Sequence, residues 1–496
     1  MAVPRRLAVF LLAALAVVPA QVRKVPASEG WFPDQAEALK QVLDNAFRTA
    51  EKRVGRVPPR KRLLGIIAPH AGLAYSGAIA AAAYSRFDHP SNVVVLAFSH
   101  SRAFSGVRVP ALAAYETPLG RIEVNREAVR ALGFSAGPAA ELADHSLDNQ
   151  LPFIQRAAPG VRVIPLFVGE LEPEELAAAA RKLVGRLKQG DVIVASSDLT
   201  HYGAAYGYTP FPVTQTLPAR LRDRAYEIFE RIGSLSTAQF EALVAGTHDN
   251  LCGFGPIQLL MATLAAWNEE VYMSPVDYMA SGELTGDYRL SVGYGALAFY
   301  PASAFEVAAA DQARLLASSR RTLAGFLAGG GRQREPVGPA ERGRDLEQRS
   351  ALFVTLKKDG ELRGCVGSFA PRLPLGDAVA EQTLEAAAED PRFPPVSARD
   401  GALGLEISLL TPLKRLASWR DFRLGQGAVI ALDGKSGTLL PQIAGEMHWN
   451  REQMLENLAL KAGLPAKAYK DPRALLYVYQ AQVFGDSAPA RAARGR

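Results

Sequence analysis

Four short apolar runs in the first half of the chain have the pattern of strands buried on both faces of a parallel sheet. They lie at 63–68, 92–98, 161–168 and 191–195. The segments between them predict helices at 35–50, 77–84 and 173–188, the first from its amphipathic spacing and the last from Pro173 at its start. Serial strand–helix units of this kind predict a three-layer α/β/α domain.

The remainder of the first half fits the same domain. Turn residues around Pro110 and Pro118 predict a hairpin insertion at 107–124. Further helices are expected at about 218–231, 236–245 and 257–267, and strands near 270–280 and 289–300 close this half.

The second half has a different pattern. An Ala-rich helix and a glycine-rich, charged loop occupy 302–334, and two strands then flank the hairpin turn Lys358-Asp359-Gly360. A helix at 375–389 and an alternating strand at 403–410 follow. Because serial strand–helix units do not recur, we expect a smaller α+β domain. We place the boundary near 305, which gives domains at 21–304 and 305–490.

Residues 1–20 have the three parts of a secretory signal peptide. Arg5 and Arg6 are basic, 7–18 is apolar, and Val18-Pro19-Ala20 supplies small residues for cleavage before Gln21. The apolar run, about 12 residues, is too short to span a bilayer, and no cysteine follows it to carry a lipid. We therefore expect a periplasmic or secreted protein without a stable membrane anchor; a cytoplasmic protein with a buried N-terminal segment is the alternative.

Length and composition narrow the class of protein. A chain of 496 residues is too long for one core, and 48% hydrophobic with 21% charged residues is typical of a globular protein. The formal charge of +6 is small for this length, and no basic and aromatic cluster accompanies it, so we expect no nucleic-acid partner. Two cysteines far apart do not make a disulfide framework.

Candidate chemistry begins where the first buried strand ends. Pro69 stops the strand and His70 follows at once, at the edge where open α/β sheets hold their ligands. Gly72 lets the backbone come close to whatever His70 faces, and Ser76 is expected to cap the helix at 77–84. An ordinary turn with a satisfied histidine is the alternative for this stretch alone.

Polar residues also follow two other predicted strands. His100 comes after the strand at 92–98, and Asp198 and His201 come after the strand at 191–195. A further polar cluster consists of Asp144, His145, Asp148 and Gln150. Because the carboxyl ends of parallel strands meet along one edge, we expect these groups to converge. His89 and His248 are expected to be surface or turn residues.

Cys252 lies just before a predicted helix, a position that lowers the pKa of a thiol and favours the thiolate. Two imidazoles and a thiolate make a plausible site for Fe(II), Cu or Zn with an open position. Nucleophilic catalysis is the competing interpretation, with Cys252 or Ser197 activated by His201 and oriented by Asp198. The absence of a G-x-S-x-G motif counts against a hydrolase.

Six ordered motifs in the first half carry a family resemblance. They are APHAGLAYSG (68–77), FSH (98–100), ETPLG (116–120), DHSLDNQLPF (144–153), SSDLTHYG (196–203) and LCGFGP (251–256). Together they resemble the Memo family over about 22–300, a family related in fold to the LigB-like class III extradiol dioxygenases. The resemblance implies a metal site made by His70, His100 and Cys252. It places Asp198, His201 and His145 around that site and suggests iron or copper, with redox chemistry involving oxygen.

Two departures qualify this resemblance. The dioxygenases use a carboxylate where Cys252 stands, so cleavage of a catechol ring does not follow. Gln150 occupies a position where some members carry another histidine, and Ser101 rather than a second histidine follows the FSH motif. Either change can alter the metal or the substrate.

The second half is similar to the AMMECR family over roughly 308–485. The similarity is carried by LFVTLKKDGELRGCVGSF (352–369), DPRFPPVS (390–397), LEISLLTP (405–412) and LLPQIAGEMHWN (439–450). Fusion with a Memo-like domain resembles the AmmeMemoRadiSam system, and the association implies a radical-SAM protein as a partner. Radical-SAM chemistry is cytosolic, which conflicts with the predicted export.

Cys365 is the candidate reactive residue of the second half. It follows the hairpin turn as part of Arg363-Gly364-Cys365. Close packing of glycine-rich backbone explains the motif structurally. The functional alternative is a nucleophilic or redox thiol supported by Arg363, with Glu446 and His448 as neighbours.

The sequence therefore predicts a metal-dependent redox enzyme, with Fe(II) or Cu, acting on an unknown small-molecule substrate. A binding module without enzymatic activity, which holds a metal or ligand for a partner enzyme, is the alternative. A hydrolase that uses a cysteine or serine ranks third.

Overall fold

The structure is a computed structural model that describes residues 21–27, 30–329 and 331–486. The predicted signal peptide at 1–20 lies outside these residues. Across the described ranges, no helix combines the length and the apolar character needed to cross a membrane.

The first half contains twelve strands and ten helices among its described residues. Strands β1 to β12 span Val22–Lys24, Gly65–Ala68, Asn92–Ala97, Val107–Pro110, Ala114–Thr117, Gly120–Glu123, Ser135–Gly137, Arg162–Val168, Val192–Ser196, His201–Gly203, Val271–Ala280 and Leu290–Pro301. Helices α1 to α10 span Ala36–Val54, Leu73–Tyr84, Arg126–Leu132, His145–Asp148, Gln150–Ala157, Pro173–Val184, Leu217–Gly233, Thr237–Thr247, Phe254–Ala265 and Gly282–Thr285.

The main sheet of this half has nine strands in the order β10-β12-β2-β9-β3-β8-β4-β7, and β11 pairs with β12. The four strands β2, β9, β3 and β8 are parallel neighbours, whereas β12 joins β2 in antiparallel fashion. Strands β1, β5 and β6 form a separate small sheet, in which β5 and β6 make the predicted hairpin.

Helices cover both faces of the main sheet. Ile66 packs in a core with Leu39 of α1 and Phe153 of α5, and the next residue, Ile67, packs in a second core with Leu260 of α9. Because successive residues of a strand point to opposite faces, two cores on one strand require a layer of helices on each side. The predicted three-layer α/β/α domain is confirmed.

The second half has two four-stranded antiparallel sheets, which confirms the predicted smaller α+β domain. Their orders are β14-β13-β15-β20 and β16-β19-β17-β18. Strands β13 to β20 span Ala351–Lys358, Glu361–Ser368, Gly404–Leu410, Lys414–Arg415, Gly427–Leu432, Lys435–Leu439, Leu475–Tyr479 and Ala481–Asp486. Helices α11 to α14 span Ala309–Leu327, Leu375–Ala388, Gln442–Glu446 and Arg451–Lys461.

The start of α2 differs from the prediction. The helix begins at Leu73 with Gly72 as its N-cap, one turn earlier than expected. The Leu73 amide donates to the carbonyl of Trp31 (2.9 Å), so a distant loop satisfies the first turn. Ser76 is buried inside the helix and its hydroxyl donates to the Ala71 carbonyl (2.8 Å). The prediction that Ser76 caps the helix is therefore wrong.

Candidate metal centre

Three neighbouring parallel strands end at the same edge of the main sheet and bring the polar side chains together. Strand β9 lies between β2 and β3, so His70, Asp198 and His100 come from adjacent strand ends. Cys252 reaches them from the loop before α9. The ligand atoms of His70, His100 and Cys252 all lie within 4.8 Å of one another.

The hydrogen bonds of Ser196 fix the tautomer of His70. The Ser196 hydroxyl donates to the Ser146 carbonyl (2.5 Å) and accepts from the Gln150 amide (2.9 Å). Because its single proton is donated to Ser146, this hydroxyl can only accept a hydrogen bond from Nδ1 of His70 (2.9 Å). The Nε2 atom of His70 then carries the lone pair, and it lies 3.3 Å from the Cys252 sulfur.

A carboxylate orients His100 in the same way. Nδ1 of His100 lies 2.9 Å from Asp144, which also accepts from the backbone amides of His100 and Ser146 (both 2.8 Å). Burial opposes ionisation of Asp144, but these hydrogen bonds hold its pKa well below the usual range. An ionised Asp144 keeps the proton on Nδ1 and leaves Nε2 of His100 for an ion.

Cys252 is positioned by a close contact between two backbones. Gly253 packs so tightly against the end of β9 that a Cβ atom there would collide with Ser197 and with the Ser196 carbonyl. The Cys252 sulfur accepts a hydrogen bond from the Asp198 amide (3.2 Å).

The prediction that the pKa of the Cys252 thiol is lowered is wrong. Cys252 does precede the helix α9, as expected. However, burial raises the pKa of the Cys252 thiol, and the nearby Asp198 carboxylate acts in the same direction. Desolvation outweighs the helix N-terminus, so the thiolate needs a cation beside it.

Two further groups of possible ligands adjoin this one. Asp198, His201 and Cys252 form one group, and His100, Asp144 and His145 form the other, each with ligand atoms within 4.8 Å. Asp198 accepts hydrogen bonds from the amides of His70 (2.8 Å) and Ala71 (3.3 Å). His201 has a buried Nδ1 without a hydrogen-bond partner among the described residues.

The electrostatics of the centre favour a cation. Burial lowers the pKa of His70 to about 3 and that of His145 to about 4, and the neighbouring His100 acts in the same direction on both. The imidazoles of His70 and His145 are therefore neutral at pH 7, and their ring nitrogens are available as ligands. They lie beside the ionised Asp144 and close to Asp198, whose pKa is raised by burial. A metal ion would compensate the negative charge that this buried cluster holds.

Sequence reasoning missed the aromatic wall of the centre. The Trp31 ring stacks on His145 (4.1 Å between centroids), and His145 stacks on His100 (4.0 Å). Gly72 permits this arrangement because a Cβ atom there would collide with the Gly30 carbonyl, next to Trp31. Gly72 was a signal of a close approach, but its partner lies 42 positions away in a loop with no pattern of its own.

Asp148 and Gln150 stabilise the elements that carry the centre. Asp148 makes a two-point ion pair with Arg23 (2.5 and 2.6 Å), which ties α4 to strand β1. Gln150 is fully buried, and its side chain joins Tyr84 (2.8 Å) to Ser196. Gln150 therefore orients a residue that orients His70.

Ser197 does not have the partners of a nucleophile. Its hydroxyl donates to the Asp198 carbonyl (2.7 Å) and accepts from the Gly253 amide (3.1 Å). His201 is held instead by Asn250, which bonds both its amide (2.8 Å) and its carbonyl (2.9 Å). Asn250 holds only the backbone of His201, and among the described residues no hydrogen bond joins the His201 ring to Ser197, so the structure lends no support to the alternative in which His201 activates Ser197.

Two other histidines of the first half lie outside the centre. His89 and His248 are exposed turn residues with positive φ, as expected. Neither belongs to the three groups of possible ligands.

Cys365 lies on β14 in the second half, outside these groups. Its sulfur accepts from the Thr355 hydroxyl (3.3 Å). Its amide donates to Asp390 (2.8 Å), and its carbonyl accepts from Arg392 (3.1 Å). Cys365 is therefore fixed by an acidic and a basic residue that follow α12.

The expected neighbours of Cys365 are placed elsewhere. Arg363 makes a two-point ion pair with Asp400 (2.8 and 3.2 Å) and does not support the thiol. The register between β13 and β14 is irregular next to Leu356, which explains why the Arg363 side chain does not point towards the Cys365 thiol. Glu446 and His448 are not among the hydrogen-bond partners of Cys365. A Cβ atom on Gly364 would collide with the carbonyl of Ala386, which supports the packing explanation of the motif.

Comparison with known proteins assigns both halves. A family model of Memo-like proteins matches residues 23–298, and the AMMECR1 family model matches residues 317–484. A MEMO1 family protein of Methanosarcina barkeri is 31% identical over 284 residues, which cover 55% of this chain and 98% of that protein. A protein of Methanothermobacter thermautotrophicus is 43% identical over 147 residues, or 28% of this chain and 77% of that protein.

One solved structure is also similar in part. The crystal structure of an uncharacterized Pyrococcus horikoshii protein has 32% sequence identity and a TM-score of 0.33, over 35% of this chain and 91% of that one. The family models and the relatives confirm the two resemblances that the motifs predicted. The chain belongs to the Memo family and carries an AMMECR1-family domain in its second half.

Proposed function

We propose that the first domain is a metal-dependent oxidoreductase, with an iron or copper ion held by His70, His100 and Cys252 and a small molecule as its substrate. The observation that carries the proposal is the convergence of two oriented imidazoles and one thiol within 4.8 Å. The bound metal would supply electron transfer between the substrate and oxygen.

The donor set suits a redox metal. Imidazole and thiolate are ligands that copper and iron accept, and a set of three protein ligands leaves a coordination position open. Both histidines have their Nδ1 atoms engaged, by Ser196 and by Asp144, so each offers Nε2. Hydrogen bonds of this kind to the far nitrogen of a ligand histidine fix the direction of the ring before the ion binds.

The surrounding residues have separate roles in the proposal. Trp31 and His145 form a wall that would orient a planar substrate and exclude water on one side. Asp198 and His201 have ligand atoms within 4.8 Å of the Cys252 sulfur and would accept a proton from the substrate.

Metal analysis of protein purified without oxygen tests the proposal. We expect about one iron or copper ion per chain, and loss of that ion from His70→Ala and Cys252→Ser, because each removes one of three ligands. Cys365→Ser is the matched control, since it removes the other cysteine of the chain and should retain the metal. Equal metal content in the two cysteine variants would contradict the proposal.

Oxygen uptake distinguishes an enzyme from a binding module. With ascorbate as the electron donor, the metal-loaded protein should consume oxygen, and Cys252→Ser should not. A protein that binds the metal at these residues but consumes no oxygen would instead be a metal-binding accessory module.

A further inference from the structure

A cavity of about 780 Å³ lies between the two halves of the chain. Its lining comes from α7, β11 and β12 of the first domain and from residues around β13, β14 and β15 of the second. The residues of the candidate metal centre do not line it. A volume of this size is within the range of small-molecule sites, which often lie at domain interfaces.

The walls of the cavity are mainly apolar. They include aromatic and aliphatic side chains from both domains, namely Phe229, Met273, Phe305, Phe369 and Leu410. Such walls suit the hydrocarbon part of a ligand.

The polar part of the lining has an excess of positive charge. Arg60, Arg86 and Arg349 line the cavity together. The Nε atom of Arg86 is buried and has no hydrogen-bond partner among the described residues. Burial lowers the pKa of Arg86, and the nearby Arg349 acts in the same direction.

Arg60 is satisfied by neutral groups only. Its guanidinium donates to the Ala304 carbonyl (3.0 Å) and the Ser350 hydroxyl (3.0 Å), and lies over the Phe305 ring (4.4 Å). Among the described lining residues the sole carboxylate is Glu230, which is already engaged by Arg415 (3.2 Å) and Tyr477 (3.0 Å). Burial lowers the pKa of Arg60, and Asp345, which acts in the opposite direction, is paired with Lys61 (2.8 Å) and does not line the cavity. Among the described lining residues, no unpaired carboxylate is therefore available to these arginines.

Arg86 is partly exposed, but its buried Nε–H has no acceptor among the described residues, and a buried donor of a charged group that is left unsatisfied is costly. We propose that this cavity binds an organic anion, a molecule with a carboxylate or phosphate group on an apolar body. Arg86, with Arg60 and Arg349, receives the charge, and the apolar body lies against the aromatic side chains. The site is separate from the metal centre, and its ligand contacts both domains.

Binding of simple probes to the full chain tests this site. We would titrate 4-phenylbutyrate and phenyl phosphate by calorimetry, with 4-phenylbutanol as the uncharged analogue and inorganic phosphate as the charge without the apolar body. At least one organic anion should bind with 1:1 stoichiometry and raise the Tm. The alcohol and inorganic phosphate should each bind at least about tenfold more weakly. Comparison of the two anions identifies the preferred head group.

Two variants link binding to the arginines. Arg86→Met should weaken binding at least about tenfold, and its Tm without ligand should equal or exceed that of the parent, because a buried N–H group without an acceptor is removed. Arg349→Met, at an exposed position, should also weaken binding and keeps the test valid if the first variant does not fold. Arg186→Met, an exposed arginine outside the cavity, is the control and should bind as the parent does.

Three results would overturn the proposal. They are no binding of either organic anion at millimolar concentration, equal affinity for 4-phenylbutanol or for inorganic phosphate, and unchanged affinity in both Arg86→Met and Arg349→Met.

Discussion

Gly253 connects Cys252 to the helix α9 and allows the ligand loop to lie against the end of β9. Its φ of −96° is accessible to any residue, so its requirement is steric. A methyl group there would overlap the side chain of Ser197 and the carbonyl of Ser196. Ser196 also orients His70, so a displacement at this point would affect two of the three proposed ligands.

Gly253→Ala should therefore destabilise the protein by about 1–3 kcal/mol, the usual cost of overpacking, and should reduce the bound metal. Gly246→Ala is the matched control, because Gly246 lies in α8 with open space around its Cα. Its replacement should be neutral or stabilise the helix by about 0.5–1 kcal/mol. Urea unfolding and metal analysis measure both effects. Full metal content in Gly253→Ala would show that the close contact does not position Cys252.

The sequence predicted the residues of the centre that follow strands and could not predict those that come from loops. His70, His100 and Asp198 follow apolar runs directly, so the topology of a parallel sheet brings them together. Trp31 lies in a loop whose position depends on tertiary contacts. The raised pKa of Cys252 could not be predicted from the sequence either, because the extent of burial depends on packing.

At the scale of elements, the hairpin β13–β14 is held to the segment after α12 by Asp390. This carboxylate accepts from the Cys365 amide (2.8 Å) and from the Arg392 guanidinium (2.7 and 2.9 Å). The hydrogen bonds from Arg392 are the main reason why the pKa of Asp390 falls to about 2, against opposition from burial. A folded-state pKa below the unfolded value means that the ionised form stabilises the fold.

Asp390→Asn should consequently destabilise the protein by about 1–2 kcal/mol at pH 7. The difference from the parent should stay constant down to about pH 4. It should shrink as the pH falls towards 2, where the parent also loses the charge. Chemical unfolding of both proteins between pH 7 and pH 3 measures the difference. A pH-independent difference would show that the charge of Asp390 does not matter.

The elements themselves were largely predictable where the pattern of apolar residues is strong. The strands β2, β3, β8 and β9 were expected within one or two residues, because continuous apolar runs bounded by turn residues have few other solutions. The start of α2 was not predicted correctly, because the amide of its first residue donates to the carbonyl of the distant Trp31. The antiparallel pairing of β12 with β2 could not be predicted either, since it joins residues more than 200 positions apart.

At the scale of the molecule, Glu270 is a centre of contact between the two halves. Located beside β11 in the first domain, it accepts from Gln426 (3.1 Å) and Gln480 (2.8 Å) of the second. Lys414 of the second domain lies 3.7 Å away. Burial lowers the pKa of Lys414, while Glu270 acts in the opposite direction. Removing Glu270 would leave a largely buried ammonium group without its anion.

Glu270→Ala should therefore destabilise the full chain by about 2–3 kcal/mol and reduce the cooperativity between the two halves. Glu51→Ala is the control, because Glu51 is exposed and its ion pair with the exposed Arg56 is long, at 3.9 Å. It should cost less than about 0.5 kcal/mol. Differential scanning calorimetry measures both the Tm and the number of transitions. An unchanged thermogram for Glu270→Ala would contradict the importance of this contact.

The central claim is that His70, His100 and Cys252 bind one metal ion. X-ray absorption spectroscopy of the protein loaded with copper or iron tests it most directly. We predict that the protein supplies one sulfur and two nitrogen ligands at bonding distance from the metal. The sulfur contribution should be kept in Cys365→Ser, and any metal that Cys252→Ser still binds should have no sulfur ligand. A shell with only nitrogen and oxygen in the parent protein, or a sulfur that survives in Cys252→Ser, would contradict the claim.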